Sequence, residues 1–114
     1  MGIAPNQCVA FGLEGERLVA ELMGGRTTRP NHPIDVVTEL LAIEVKTVNA
    51  DNQTLRTQMS RRAQLRKNAW AKDHNLEPLT VLVVVYPERY EVFTGCGFRN
   101  YDMEFMQHMG TFPK

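Results

Sequence analysis

The chain has 114 residues, a length that fits one domain and excludes two of ordinary size. Hydrophobic residues make up 43% of it, which is enough for a buried core and excludes an intrinsically disordered chain. The 13 basic and 13 acidic residues cancel, and a net charge of zero argues against a nucleic-acid binder whose whole surface is basic. The position of the charges therefore matters more than their sum.

The first half of the chain predicts a helix followed by a β-hairpin. Apolar side chains recur on one helical stripe over residues 9–23, and Gly24-Gly25 would end that helix. Residues 26–33 contain the prolines and asparagine of a loop. Residues 34–37 and 40–48 are rich in aliphatic and β-branched side chains, which predicts a hairpin that turns near Thr38-Glu39.

The second half predicts a helix, two strands and a short last helix. Residues 54–74 repeat apolar side chains at helical spacing and contain many good helix formers. Residues 79–86 predict a strand buried on both faces, and residues 90–94 alternate as a further strand. We expect residues 100–109 to form the last helix. A long helix between the second and third strands makes these strands parallel in an α/β sandwich.

Charged residues interrupt the predicted hairpin at three positions. Side chains alternate along a strand, so Glu44 and Lys46 share one face. Asp35 lies in the first strand, and a turn near Thr38-Glu39 would place it beside Glu44. Carboxylates are costly to bury without partners, and Mg²⁺ binds such oxygens together with water and phosphate. The residues outline a phosphodiesterase site in which Lys46 positions the attacking water; the alternative is the ordinary solvated face of a strand.

The same residues resemble the signature of a known superfamily. Pro33-Ile34-Asp35, eight intervening residues and Glu44-Val45-Lys46 are similar to the motif of the PD-(D/E)xK nucleases, with one residue between the proline and the aspartate. Upstream, Gly12-x-x-Gly15-Glu16-x-x-Val19-Ala20 resembles the first helix of many members, where a Gly-Glu step adds an acidic residue to the metal site. Glu16 is the matching acidic residue. The resemblance spans residues 12–86.

This resemblance implies a fold, a site and an activity. The fold is a restriction-endonuclease-like α-β-β-α-β core with a central mixed sheet flanked by helices. Asp35, Glu44 and Glu16 would be catalytic residues that bind Mg²⁺ or Mn²⁺, and Lys46 would be the catalytic lysine. The activity is cleavage of DNA or RNA. We expect a DNA endonuclease that is structure-directed or weakly sequence-specific, and the alternatives are a non-catalytic nucleic-acid-binding module on the same fold and an RNA-directed nuclease.

A basic segment follows the hairpin. No acidic residue lies between Asp51 and Asp73, whereas six of the 13 positive charges do. Such a segment can track the phosphates of a nucleic acid, although lysine and arginine are also ordinary surface residues of a helix. The residues expected to contact nucleic acid are Arg61, Arg62, Arg66, Lys67, Gln58 and Gln64.

Location and assembly follow from weaker signals. Cys8 and Cys96 form neither a metal motif nor a disulfide framework, and the N-terminus shows no secretion signal. The longest apolar run is too short to span a bilayer, so we expect a cytoplasmic protein with no membrane segment. We also expect a homodimer, because the C-terminal residues 98–112 are more apolar than a short helix needs. The alternative is that this segment only covers the last strand.

Overall fold

The structure is a computed structural model that describes residues 5–51, 56–57 and 59–114, with side chains from residue 12 to residue 51 and from residue 59 onward. Within these ranges the chain forms two α-helices, a six-stranded mixed sheet and a separate pair of short strands. No helix among the described residues is long and apolar enough to cross a membrane. In chain order the elements are α1 (Pro5–Met23), β1 (Arg26–Thr27), β2 (Val36–Val37), β3 (Leu41–Asn49), β4 (Arg56–Thr57), α2 (Arg61–Asp73), β5 (Glu77–Val85), β6 (Arg89–Cys96), β7 (Tyr101–Asp102), one 3-10 turn (Met103–Phe105) and β8 (Gln107–Pro113).

The large sheet has the strand order β1-β2-β3-β5-β6-β8. β3 and β5 are parallel along their whole length, and the other neighbours in this sheet are antiparallel. The parallel pair confirms the crossover predicted for the helix between them, since parallel strands need a long connection. Residues 80–85 of β5 are all buried, as expected for a strand covered on both faces.

The two helices cover opposite faces of the sheet. Val19 and Ala20 of α1 pack with Ile43 and Val45 of β3 and with the odd-numbered valines of β5. Ala71 of α2 packs in a different cluster, which contains Ala42, Ile34 and Phe98. Alternation along β3 explains the division, because neighbouring residues of a strand point to opposite faces. The prediction of a mixed sheet flanked by helices is confirmed at this level.

A glycine lets α1 lie unusually close to the sheet. A Cβ atom added to Gly15 would come within 1.8 Å of Thr47 Oγ1 on β3. Any larger residue would require the Thr47 side chain, the helix or the strand to move. Gly15 therefore sets the height of α1 above the sheet, and Glu16 follows it in the chain.

One predicted element was wrong, and the bounds of others differ from the prediction. Residues 100–109 do not form a helix: they contribute β7, the 3-10 turn and the start of β8, which pairs antiparallel with β6. The open edge of β6 offers a row of backbone partners, and pairing with it draws residues from 107 onward into a strand. Helix α2 begins at Arg61 instead of residue 54, because the Ser60 side chain accepts a hydrogen bond from Ala63 N and caps the helix there. The predicted loop 26–33 also contains the short strand β1.

Candidate active site

The β2–β3 hairpin places Asp35 beside Glu44. Its strands pair Val36 with Ile43 and Val37 with Ala42, and the same register continued by one residue sets Asp35 opposite Glu44. β2 ends there whereas β3 continues to Asn49. Asp35 Oδ2 accepts a hydrogen bond from Val45 N at 2.9 Å, so the carboxylate takes the place of the missing strand partner. The expected proximity of Asp35 and Glu44 is confirmed.

Three carboxyl groups meet at this edge of the sheet. The Asp35 carboxyl lies within hydrogen-bonding reach of Glu16, which comes from α1, and of Glu44, which comes from β3. β3 extends beyond the end of β2 here, so side chains from the two faces of the sheet can approach each other. Asp35 lies between Glu16 and Glu44 and is close to both. The structure thus brings together the three acidic residues that were predicted from the sequence to form one site.

Burial and mutual repulsion raise the pKa of two of these carboxyls. Desolvation is the largest cause of the rise to about 7 for Glu16 and for Glu44, and the charge of Asp35 is the next cause in both. Lys67 acts in the opposite direction and lowers the pKa of Glu44. Glu16 and Glu44 therefore lose their protons near neutral pH. At higher pH both are negatively charged and are repelled by Asp35.

Two further residues contact Glu44, and neither was foreseen in this role. Lys67 Nζ lies 2.9 Å from Glu44 Oε2 and donates a hydrogen bond to the Pro33 carbonyl at 2.6 Å. Glu44 Oε2 is closed to solvent and makes no well-oriented hydrogen bond to any described residue, so this ion pair is what compensates it. Tyr101, buried on β7, also lies near Glu44, and burial followed by the charge of Glu44 raises the pKa of Tyr101 above its ordinary value.

Lys46 differs from Lys67 in its surroundings. It lies two residues beyond Glu44 on β3, on the same face by alternation, and is exposed. It forms no ion pair with any residue that the structure describes. An exposed ammonium near the carboxylates remains free to meet a ligand that arrives from solvent.

A cleft of about 380 Å³ opens beside Glu16 and Asp35. One wall comes from Gly12 and Leu13 of α1, and the other from the loop of residues 28–32. His32 in this loop is held in place, since its Nδ1 lies 3.0 Å from Ile34 N and its ring meets Trp70 of α2 edge-on at 4.8 Å. Glu16 and Asp35 are therefore reached from a concave surface, which is typical of ligand sites, whereas Glu44 lies behind Asp35 and does not line the cleft.

The predicted nucleic-acid contacts divide into three groups. Three of them are exposed along α2, and we call them the outer arginines: Arg61, Arg62 and Arg66. Two others point inward, because Lys67 pairs with Glu44 and the Gln64 amide donates to the Phe98 carbonyl. Gln58 lies outside the described residues. A helical stripe through Ala63 and Ala71 includes Lys67, but this spacing does not show which face of α2 meets Glu44.

The donor set has the chemistry of a hard-cation site. Glu16, Asp35 and Glu44 offer only oxygen atoms, the ligand type that Mg²⁺ and Mn²⁺ prefer. As they stand, the carboxyls contact one another through Asp35, and no group of three described Asp, Glu, His or Cys side chains has the spacing of a preformed metal site. Comparison of the chain with protein-family models, with curated proteins and with solved structures finds no match.

Proposed function

We propose that this protein is a metal-dependent endonuclease that hydrolyses phosphodiester bonds of DNA on a restriction-endonuclease-like fold. The observation that carries the proposal is the convergence of Glu16, Asp35 and Glu44 from three elements at one edge of the sheet, beside an open cleft. Such a cluster is unfavourable for a purely structural purpose, because each carboxyl is partly desolvated and repels its neighbours. A bound divalent cation would remove that conflict.

The chain's own residues divide the work in this proposal. When bound, Mg²⁺ or Mn²⁺ would polarise the phosphodiester and lower the pKa of a water molecule. Val45 N orients Asp35, while Lys67 orients Glu44. Lys46 is the exposed ammonium on the Glu44 face, and its charge would orient the attacking water and offset negative charge that develops on the phosphate.

Substrate binding is assigned to α2 and the cleft. The outer arginines would contact backbone phosphates without reading bases, which fits a structure-directed or weakly sequence-specific enzyme. Arg29 lines the cleft opposite Glu16 and is exposed, so it is an additional candidate for a phosphate contact close to the reacting bond.

The test is a cleavage panel. Branched, linear and single-stranded DNA and RNA are incubated with Mg²⁺, Mn²⁺ or EDTA. We expect metal-dependent cutting of DNA that Glu44→Gln abolishes. Lys46→Ala should cut about 10²-fold slower while metal and nucleic acid bind as before, since one preorganised charge is lost. Glu39→Gln, an exposed carboxylate in the hairpin loop, is the matched control and should cut normally.

A second candidate is a non-catalytic nucleic-acid-binding module. The outer arginines favour it, because they are exposed independently of the carboxylates. It predicts binding without cleavage of any substrate under any metal condition, and that result would replace the nuclease proposal. Cleavage confined to RNA would instead make the protein an RNA-directed nuclease.

We also propose that the protein acts as a homodimer. Phe105 and Met109, near the edge strand β8, are 66% and 40% exposed, which leaves apolar surface for a partner. Two sites related by a two-fold axis would cut the two strands of a duplex. Light scattering at micromolar concentration tests the proposal, since a mass near 13.0 kDa would show a monomer.

A further inference from the structure

We propose that Lys67 is a resident counter-ion of the candidate active site, whose ammonium occupies Glu44 and must move away when a divalent cation binds there. The inference rests on the proposed metal site and adds a residue that the family motif does not contain. It changes the expected role of Lys67 from a phosphate contact on the surface of α2 to a competitor of the metal.

The contacts of the Lys67 ammonium are those of an internal cation. Nζ lies 2.9 Å from Glu44 Oε2 and 2.6 Å from the Pro33 carbonyl oxygen. The side chains of Lys67 and Glu44 are only 16% and 15% exposed, whereas a surface lysine normally extends its ammonium into water. Two acceptors and little solvent mean that the ammonium is held by the protein.

Helix α2 fixes this lysine from both sides. One turn earlier, the Gln64 amide donates to the Phe98 carbonyl, and one turn later Ala71 is buried between α2 and the sheet. Trp70 packs against the same cluster and against His32. Because these neighbours hold the inner face of the helix, the Lys67 side chain is directed at Glu44 by the fold.

Ammonium and divalent cation compete for the same carboxylate. Glu44 Oε2 is closed to solvent and compensated by Lys67, so a cation that uses this oxygen must replace the ammonium or bind against its charge. Like charges a few ångströms apart repel strongly in a partly desolvated site. Removal of the Lys67 charge should therefore tighten metal binding, whereas removal of a lysine that only supports the structure should weaken it.

The experiment measures Mn²⁺ binding to the full chain by calorimetry at one mildly alkaline pH, without nucleic acid. We expect Lys67→Met to bind Mn²⁺ about tenfold tighter than the wild type. Lys72→Met removes an exposed lysine from the same helix and should bind as the wild type does. A second readout is thermal unfolding: Lys67→Met should melt lower in EDTA and gain more from Mn²⁺ than the wild type.

Each outcome decides the matter. Weaker or unchanged Mn²⁺ binding in Lys67→Met overturns the inference, as does a failure of both wild type and variant to bind Mn²⁺. If Lys67→Met does not fold, Lys67→Gln keeps a donor for the Pro33 carbonyl, lacks the charge and carries the same expectation. A protein that binds Mn²⁺ as expected but cuts no nucleic acid would refute the nuclease and still support the role of Lys67.

Discussion

Replacement of Asp35 by asparagine tests whether the three carboxyl groups repel one another, because Asp35 is the neighbour of both Glu16 and Glu44. Asparagine has nearly the same shape, and its amide oxygen can keep the hydrogen bond that Asp35 Oδ2 accepts from Val45 N at 2.9 Å. The substitution therefore removes one negative charge from between Glu16 and Glu44 and leaves the strand edge paired.

The size of the effect follows from the two raised pKa values. A rise from 4.5 to about 7 means that each glutamate is harder to ionise in the folded protein by about 3 kcal/mol. Burial is the largest cause in both and repulsion from the charge of Asp35 is the next, so only part of the rise is lost with Asp35. Glu16 is substantially open to solvent, which screens this repulsion. We therefore expect removal of the Asp35 charge to relieve about 1 kcal/mol of repulsion from the two glutamates together.

The sign of the effect depends on pH. Well above pH 7 both glutamates are ionised, so Asp35→Asn relieves repulsion and should raise the metal-free melting temperature by roughly 4 °C for a chain of this size. Near pH 5 both glutamates hold protons and can donate to the Asp35 carboxylate. The variant then loses a charged acceptor and should melt below the wild type.

Thermal unfolding followed by circular dichroism in EDTA, at mildly alkaline pH and near pH 5, measures both signs. Addition of Mg²⁺ at alkaline pH should stabilise the wild type and leave Asp35→Asn nearly unchanged, because a ligand has been lost. Glu39→Gln should follow the wild type throughout. A variant that melts lower at both pH values, or that keeps the full Mg²⁺ response, would refute the reasoning.

The remaining predictions concern pH, phosphate binding and packing. The free energy of unfolding of the wild type in EDTA should fall as the pH rises from about 5 to 8. The reason is that the raised pKa of Glu16 and Glu44 lets the folded chain keep protons that the unfolded chain has released. Denaturant titrations measure this, and a flat pH profile would contradict it. Cleavage should increase through about pH 7 for the same reason, since both carboxyls must ionise to bind a cation, and initial rates measure it. Alanine at the outer arginines should weaken DNA binding for every sequence and reduce the salt slope by roughly one per lost phosphate contact; an unchanged slope would place DNA elsewhere. Gly15→Ala should lower the free energy of unfolding by about 1 to 3 kcal/mol, because its methyl group meets Thr47, and Thr47→Ala should restore part of the loss.

The sequence by itself determined the features that depend on neighbours along the chain. Alternation along β3 placed Glu44 and Lys46 on one face, and a short hairpin loop fixed the register that sets Asp35 beside Glu44. The helix between β3 and β5 determined that these strands are parallel. Local backbone geometry and the period of the side chains are sufficient for such predictions.

Only the tertiary structure decided which distant groups meet. Neighbouring helical residues differ by about 100° in direction, so whether Arg66 or Lys67 faces Glu44 depends on how α2 settles on the sheet. Tyr101 reaches Glu44 from β7, within a segment whose apolar residues also fit a helix. The residues after the 3-10 turn form β8 because their backbone groups can hydrogen-bond to the unpaired edge of β6. Contacts between residues far apart in the chain depend on packing, which no local pattern specifies.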